Sequence, residues 1–452
     1  MKSLRFILIL LLVVAGLGIS HSSARAGAFT YTSSINVQNL ENATATITLH
    51  FYNQDGTENV TPVEDTIGPL GSKVYFPIPA DTGFNGSVVI ESTTQIASVS
   101  NIHGNNYAAN ASYVSSSQGY TKILIPLLMK GNSGYNTWFN VQNAGNGDAF
   151  VKVTYSDGTS VTPASPIKLG AAMTFDQGAE ASHPKVFSAI VESTNGQLLA
   201  ATVVEESTKI MFAYNGFGAT ASNPVMPLIN ANNSGYQTGI QIQNSGTVST
   251  DVVVTYKPSL FGTTCTETQT IPAGQSKTYA LYPFAGVPLP GMTTTCVGGT
   301  RFVGSAKVTT NSAAQPLVAE VNQFKGTLNG GAYDGFDPTT ASANVVLPLI
   351  MNANSGYWTS INLMNVGGAT ATVTCTFTPY GSVPLPTLTK SLAPDEGISW
   401  LQAAGDEFGT TKYIGSATCS APGTQIVAIV NELGASTVAD QLLVYEGINP
   451  TP

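Results

Sequence analysis

Apolar and polar residues alternate with a period of two in four widely separated blocks of the chain. The first block, Tyr31–Asn39, places Ile35 and Val37 on one face and polar residues on the other. Such alternation predicts a β-strand with one face in a hydrophobic core and the other toward solvent. The apolar pairs of the other three blocks are Phe139 and Val141, Ile240 and Ile242, and Ile361 and Leu363.

The four blocks recur with a period of roughly a hundred residues, which indicates an internal repeat. Every block ends in an asparagine, and an aromatic residue stands twelve positions after it. In the last three copies a proline stands seventeen positions before the asparagine. Landmarks in constant register predict four tandem repeats. They are Asn39, Asn143, Asn244 and Asn365, then Phe51, Tyr155, Tyr256 and Phe377, then Pro126, Pro227 and Pro348.

Further alternating strands and turn signals such as Asp55-Gly56 follow in each repeat. About seven short strands per hundred residues predict an all-β fold of four tandem immunoglobulin-like β-sandwich domains. A propeller is the alternative, but its blades need repeats of only about 40–50 residues. The predicted segments are a signal peptide (1–26), repeat 1 (27–119), repeat 2 (120–222), repeat 3 (223–342) and repeat 4 (343–452).

Repeat 1 is predicted to lack the opening strand that carries the proline in the other three repeats. The same interval reaches Ser22 in repeat 1, inside the predicted signal peptide. Removing that peptide exposes a sheet edge, and bare edges pair with other chains. The alternatives are a domain with one fewer strand and a covering loop from residues 105–118.

The N-terminus has the pattern of an export signal. Lys2 and Arg5 precede an apolar run over residues 6–19, and Ala24-Arg25-Ala26 fits a signal-peptidase site. The run is short for a membrane-spanning helix, which needs roughly 20 apolar residues. We therefore expect a secreted protein cleaved after Ala26 or Ala28, with an uncleaved anchor helix as the alternative. After cleavage we expect no integral membrane segment and non-covalent attachment to the cell.

Charge and composition narrow the choice of partners. Removing residues 1–26 takes away three of the 17 basic residues and leaves 14 against 26 acidic ones, a formal charge of −12. Nucleic-acid affinity comes largely from Lys and Arg that neutralise phosphates, so this balance argues against a nucleic-acid partner. Apolar residues make up 42% of the chain, which argues against disorder.

The order of strand, asparagine, turn and strand resembles that of bacterial immunoglobulin-like repeats, CARDB-like and related, of secreted and cell-surface proteins. The resemblance covers nearly the whole mature chain. It implies a place among adhesive stalks, envelope-layer proteins and spacer modules. It assigns no functional residues.

The four cysteines fall two each in repeats 3 and 4. Cys375 and Cys419 stand at inward positions, where we expect a core disulfide like the inter-sheet bridge of antibody domains. Cys265 and Cys296 lie in segments that lengthen repeat 3, so their disulfide would connect loops. Four free buried thiols are the alternative, which export disfavours. No Cys-x-x-Cys spacing indicates a metal site.

No catalytic or metal-binding constellation can be built from the sequence. The three histidines beyond residue 26, His50, His103 and His183, do not occupy equivalent positions. Asp334 and Asp337 could donate oxygen ligands to calcium, but no Asp-rich loop supplies the needed number. We therefore predict no enzymatic activity, no catalytic or metal-binding residues and no cofactor.

Aromatic side chains are the best candidates for contact with a ligand. Tyr357, Trp358 and Trp138 are the residues we single out, because exposed aromatics stack on sugars or anchor protein partners. We expect a non-enzymatic extracellular structural or adhesive surface protein whose repeats form a rod or pack into a layer or filament. Its expected partners are copies of itself or cell-surface components. An extracellular module that binds glycans or proteins is the alternative.

Overall fold

The computed structural model describes residues 27, 29–180, 182–310, 314–381, 383–400, 407–435 and 439–450. The described chain is all-β, as predicted, and consists of several small antiparallel sheets. Its one helix, α1 (Leu281–Ala285), is a single short turn. Within the described ranges no helix has the length and apolar character needed to cross a membrane. The predicted signal peptide lies outside the described residues.

The strands of the first two repeats follow the predicted blocks. Those of repeat 1 are β1 (Tyr31–Asn39), β2 (Ala45–Asn53), β3 (Val63–Ile67), β4 (Ser72–Tyr75), β5 (Gly86–Ser92), β6 (Ile96–Gly104) and β7 (Ala109–Val114). Those of repeat 2 are β8 (Lys122–Met129), β9 (Asn136–Asn143), β10 (Val151–Tyr155), β11 (Ser160–Val161), β12 (Ala172–Asp176), β13 (Val186–Ser193), β14 (Leu199–Glu206) and β15 (Met211–Asn215).

The last two repeats continue the same succession. The strands of repeat 3 are β16 (Val225–Ala231), β17 (Tyr236–Asn244), β18 (Thr250–Phe261), β19 (Cys265–Ile271), β20 (Ser276–Tyr279), β21 (Thr293–Thr294), β22 (Phe302–Thr310), β23 (Leu317–Lys325) and β24 (Asn329–Asp334). Those of repeat 4 are β25 (Asn344–Asn352), β26 (Tyr357–Asn365), β27 (Ala371–Pro379), β28 (Leu388–Leu392), β29 (Gly397–Trp400), β30 (Tyr413–Ser420), β31 (Ile426–Gly434) and β32 (Leu442–Glu446).

Each repeat contains two sheets. The inner sheet holds the strand that ends in the repeated asparagine, and the outer sheet holds the next strand along the chain. The inner sheets have the orders β4-β1-β6-β7, β12-β9-β14-β15, β20-β17-β23-β24 and β29-β26-β31-β32. The outer sheets have the orders β3-β2-β5, β11-β10-β13-β8, β21-β19-β18-β22-β16 and β28-β27-β30-β25.

A separate hydrophobic cluster lies between the two sheets of each repeat. In repeat 2 the inner sheet contributes Phe139 and Val141, and the outer sheet contributes Val153 and Val191. All four side chains are fully buried, and so is Val254, the counterpart of Val153 in repeat 3. The period-two alternation therefore identified the core-facing side of these strands correctly.

The repeated asparagine closes the turn after the first inner strand. The side-chain N–H₂ of Asn143 donates to the carbonyls of Gly147 (2.7 Å) and Ile167 (2.9 Å), and its Oδ1 accepts from the Gly145 N–H (2.9 Å). A buried side chain that donates twice and accepts once must be an amide. The same three kinds of bond recur at Asn39, Asn244 and Asn365.

The repeats close on one another instead of extending in a line. The last strands β7, β15, β24 and β32 contact one another in cyclic order, and β32 contacts β7. Repeats 4 and 1 are also joined by side chains, because Asn36 donates to the Pro348 carbonyl and Asn101 donates to Glu432 (3.3 Å). The expected rod is therefore wrong, since its first and last repeats would lie far apart.

Candidate functional site

The predicted ligand-contact residues do not converge on one surface. Trp138 belongs to repeat 2, and Tyr357 and Trp358 belong to repeat 4; all three are partly buried. Trp138 lies beside the Tyr31 ring of repeat 1 (5.9 Å between centroids) and donates to Glu206 (3.3 Å). Tyr357 packs against the core of repeat 4, and the buried Trp358 indole N–H has no hydrogen-bond partner among the described residues.

Both disulfides are present in the structure. Cys265–Cys296 connects the first residue of β19, which is buried in the core of repeat 3, to the segment after β21. The bridge therefore joins a strand to a loop, whereas the sequence predicted a bridge between two loops. Cys375 and Cys419 are bonded inside the core of repeat 4. Their expected inter-sheet geometry is wrong, because Cys375 on β27 stands directly opposite Cys419 on β30 within one sheet, with 3.9 Å between the Cα atoms. Directly opposite residues project to the same face, so both thiols reach one core.

The three histidines lie apart from one another. His50 contacts Glu58 (3.0 Å) at the surface of repeat 1, and His103 contacts Asn110 (2.7 Å). His183 contacts Asp157 (2.7 Å) and stacks on Phe187 in repeat 2. Among the described residues no group of three or more His, Cys, Asp or Glu side chains could hold a metal ion.

Sequence reasoning missed the most unusual polar feature, an acidic side chain at the centre of the four repeats. Asp440 Oδ1 accepts the backbone N–H groups of Gly330 (3.0 Å) and Leu442 (3.3 Å). Its Oδ2 accepts those of Met211 (3.2 Å) and Asn110 (3.4 Å). These four residues belong to the four different repeats, and each stands three positions before a tyrosine. One carboxylate thus binds four equivalent backbone positions.

Asp440 accepts hydrogen bonds from backbone N–H groups that the strand order leaves without a neighbouring strand. Strands β7, β15, β24 and β32 are the edges of their inner sheets, so their outward N–H groups have no neighbouring strand. A buried N–H without a partner costs about 1–3 kcal/mol. The Asp440 carboxylate supplies the missing acceptor to all four edges. Burial raises the pKa of Asp440 well above its ordinary value, and the four N–H donors pull that pKa in the opposite direction.

The other end of the four central strands is joined by the residues that follow the tyrosines, Val114, Asn215, Asp334 and Glu446. Asn215 donates its side-chain amide to the Val114 carbonyl (3.0 Å). Burial and Glu446 raise the pKa of Asp334 well above its ordinary value, and the Asn215 backbone lowers it. The Asp334 N–H in turn donates to Glu446. At this end of the central bundle, hydrogen bonds therefore join repeat 1 to repeat 2 and repeat 3 to repeat 4.

A third set of contacts joins neighbouring inner sheets. Asn322 of repeat 3 donates to Glu205 of repeat 2 (2.7 Å), and Asn101 of repeat 1 donates to Glu432 of repeat 4 (3.3 Å). The equivalent pair between repeats 4 and 3 joins Asn431 to Gln323 over 3.5 Å. Between repeats 2 and 1 the same positions hold Val204 and Ile102, which share a buried apolar cluster.

Burial dominates the protonation of these acids. It raises the pKa of both Glu205 and Glu432 to about 8 and that of Glu446 to about 7. The pKa of Glu320 lies well above its ordinary value because of burial first, and then because of the nearby Glu205 and Asp334. A group that faces both an apolar core and other carboxylates favours its neutral form. The centre is thus most stable when several of these acids keep their protons.

One sequence signal could have located these residues. Glu205 and Glu432 continue the alternation of the core-facing residues on strands β14 and β31, which predicts an apolar residue at both positions. A charged residue within such a strand is rarely buried unless it has a partner. The partner belongs to another repeat, so the sequence alone does not identify it.

Comparisons with known proteins add little. No family model matches the sequence, and no curated protein matches it. One solved structure, a tetra-tandem repeat in the extending region of a large adhesion protein, is matched over 93% of this chain and 96% of that chain. The sequence identity is 13% and the TM-score is 0.11, and a likeness this weak supports neither a fold nor a function. The resemblance to CARDB-like repeats stays a prediction.

Proposed function

We propose that this chain is a non-enzymatic, exported structural or adhesive component of the cell surface. In this proposal each repeat is one immunoglobulin-like β-sandwich domain, and the four domains close into a ring. Support for the domains comes from the pairing of one inner and one outer sheet around a separate core in every repeat. Two antiparallel sheets packed face to face are the architecture of a β-sandwich.

The observation that carries the proposal is the Asp440 carboxylate, which accepts an N–H group from each of the four repeats. Buried polar groups in an enzyme are commonly arranged around a cleft that admits a substrate. Here the buried acids Asp440, Glu205 and Glu432 accept hydrogen bonds from neighbouring repeats instead. Such contacts favour a rigid unit that presents its outer surface to other molecules, which suits a structural or adhesive role.

Export is supported by the cysteines and by the composition. Disulfides persist in oxidising compartments and are rare in the cytosol. Cys265–Cys296 and Cys375–Cys419 use all four cysteines of the chain. Charged residues make up only 10% of the sequence, so adhesion would depend on polar and aromatic contacts more than on charge.

The proposal is tested on the native cells with antibodies against the mature chain. Immunogold labelling and protease treatment of intact cells should find the protein at the surface, with all four cysteines protected from maleimide until reduced. Deleting the gene should alter the surface layer or reduce attachment, and the wild-type gene should restore it. A cytoplasmic protein with free thiols, or a deletion without effect on surface and attachment, would contradict the proposal.

A glycan screen separates the proposal from a sugar-binding role. The mature chain and its Trp358→Ala variant are tested side by side. If the chain binds a specific sugar and Trp358→Ala abolishes that binding, the alternative function, an extracellular glycan-binding module, replaces the proposed one. Adhesion that survives Trp358→Ala without any sugar binding supports the structural role.

A further inference from the structure

We propose that the free edge of β5 in repeat 1 is a receptor for a β-strand from a different protein. That strand carries aliphatic side chains at alternating positions followed by Pro-Leu. The inference rests on the proposed surface function and deepens it by giving the chemistry of a partner.

The first observation is a gap in the outer sheet of repeat 1. In repeats 2, 3 and 4 the outer sheet ends in β8, β16 or β25, which pair with β13, β22 and β30. The equivalent strand in repeat 1 is β5, which among the described residues pairs with β2 alone. Within the part of the chain that the structure describes, repeat 1 therefore has an unpaired edge at the place where the three other repeats have a strand.

The second observation is the incomplete burial of the core beside that edge. Val88 and Ile90 of β5 pack against the hydrophobic cluster of repeat 1 but remain partly exposed. Their counterparts in repeat 2, Ala189 and Val191, are 1% and 0% exposed beside β8. A strand added to β5 would remove the remaining apolar surface from water, which is favourable.

The third observation concerns a tyrosine hydroxyl. Tyr214, Tyr333 and Tyr445 each donate to the carbonyl of the leucine that follows the proline of the opening strand. The equivalent residue of repeat 1, Tyr113, stands opposite Ser100 of β6 in its own sheet. The Pro-Leu part of an incoming strand would place a carbonyl where the other three tyrosines find theirs.

The fourth observation is a contact from the next repeat that is the same beside β5 as beside β13. Gln243 of repeat 3 donates to the Ala189 carbonyl of β13 (3.4 Å) beside the bound β8. Gln142 of repeat 2 makes the same contact with the Val88 carbonyl of β5 (3.4 Å). The space next to β5 therefore has the same flanking contact as the space that holds β8.

The occupant is indicated by the three opening strands of this chain. They contain Ile-Leu-Ile-Pro-Leu-Leu (123–128), Val-Met-Pro-Leu-Ile (225–229) and Val-Val-Leu-Pro-Leu-Ile (345–350). The chain's own residues at the corresponding interval, 18–26, read Gly-Ile-Ser-His-Ser-Ser-Ala-Arg-Ala, with no proline and one aliphatic residue. A second copy has its three opening strands already paired. We therefore assign the strand to a different partner.

The test uses the mature chain, residues 27–452, and a fluorescent peptide of residues 120–130 as a stand-in for the partner strand. We expect one peptide to bind per chain, and a peptide with Ile123→Asp and Ile125→Asp to bind at least tenfold more weakly. Equal binding of the two peptides, or none by either, would overturn the inference. So would a dimer of the mature chain joined through its β5 edges, because the second copy would then be the occupant.

A disulfide cross-link tests the position and register of the bound peptide on β5. In repeat 2 Glu192 stands opposite Lys122, and the counterpart of Glu192 on β5 is Glu91. The Glu91→Cys variant should form a disulfide with the Lys122→Cys peptide, whereas the matched Glu64→Cys variant on β3 should not. Equal cross-linking of the two variants would refute the receptor edge. A surface protein without this cross-link keeps its proposed function and loses only the receptor edge.

Discussion

The contacts between repeats 1 and 2 and between repeats 2 and 3 occupy equivalent positions of the same strands but use opposite chemistry. The first uses Ile102 and Val204 in an apolar cluster. The second uses Asn322, which donates to the buried carboxyl of Glu205 (2.7 Å). Both close the gap between neighbouring inner sheets. At this one position a polar pair is therefore not needed to close the gap, and its presence at the equivalent positions elsewhere has other consequences.

The main consequence is sensitivity to protons. The pair of Ile102 and Val204 contains no side chain that titrates. In repeats 2 and 4 the position equivalent to Ile102 holds a glutamate, Glu205 or Glu432. Burial raises the pKa of each of these glutamates to about 8. Buried ionisable groups seldom add stability over a well-packed apolar pair. The polar contacts make the ring dependent on pH, and the apolar contact does not.

The largest effect is expected from Asp440→Ala, because it removes the acceptor of four buried N–H groups at once. We expect the free energy of unfolding to fall by about 3–5 kcal/mol. Guanidinium denaturation of the mature chain measures this change. The exposed Asp251→Ala serves as the control, since it should cost under about 1 kcal/mol. Equal losses in the two variants would show that Asp440 has no special position.

Converting the polar contact into the apolar one tests whether the two kinds of contact are interchangeable. Asn322→Val alone removes the donor to Glu205 and should cost about 1–3 kcal/mol. Adding Glu205→Ile recreates the pair found between repeats 1 and 2, and the loss should be recovered in full or exceeded. Chemical denaturation of the single and double variants checks this. If the double variant is less stable than Asn322→Val, the two contacts are not interchangeable.

The pH dependence follows from the raised carboxyl pKa values. The folded protein holds the Glu432 proton up to about pH 8, compared with an ordinary pKa of 4.5. The stability from this group is fully present below pH 4.5 and is lost as the pH rises through 8. The slope is about 1.4 kcal/mol per pH unit between those values.

Denaturation curves at pH 5, 7 and 9 measure that slope. Glu432→Gln should reduce it, because glutamine keeps an acceptor for Asn101 but has no proton to lose. Ile102→Val, at the apolar contact, should lower stability by about the same amount at every pH. A wild-type stability that does not change from pH 5 to pH 9 would contradict the assignment of buried acids to the centre.

The smallest effect is expected at the contact between repeats 3 and 4. The donor Asn431 faces the neutral Gln323 over 3.5 Å, a long hydrogen bond. Asn431→Ala should cost about 0.5–1.5 kcal/mol, and the cost should be the same at pH 5 and pH 9. A cost that grows with pH would mean that Asn431 interacts with one of the buried acids.

The strands and the core-facing residues could be predicted from the sequence because they depend on local alternation. The spacing from Asn143 to Tyr155, for example, fixes two neighbouring strands and the turn that the asparagine closes. The disulfide Cys375–Cys419 was predicted from inward positions alone. Inward position does not show which strands are neighbours, so the bridge was assigned between sheets although it lies within one.

The ring was beyond prediction because its contacts join residues that are far apart along the chain. Asp440 lies 330 residues from Asn110, whose N–H group it accepts. Nothing in the surrounding sequence distinguishes it from a surface aspartate in a loop. The sequences of the edge strands β7 and β32 are those expected for the final strands of independent domains. Their contact follows from unpaired N–H groups that become visible only once the strand order is known.

If repeats 1 and 4 meet, the mature chain is compact, and small-angle X-ray scattering measures its compactness in solution. A compact body of this length should have a radius of gyration of about 22 Å. Four sandwiches in a line, each about 35 Å long, would give about 40 Å. A measured value near 22 Å agrees with the ring, and a value near 40 Å would contradict it.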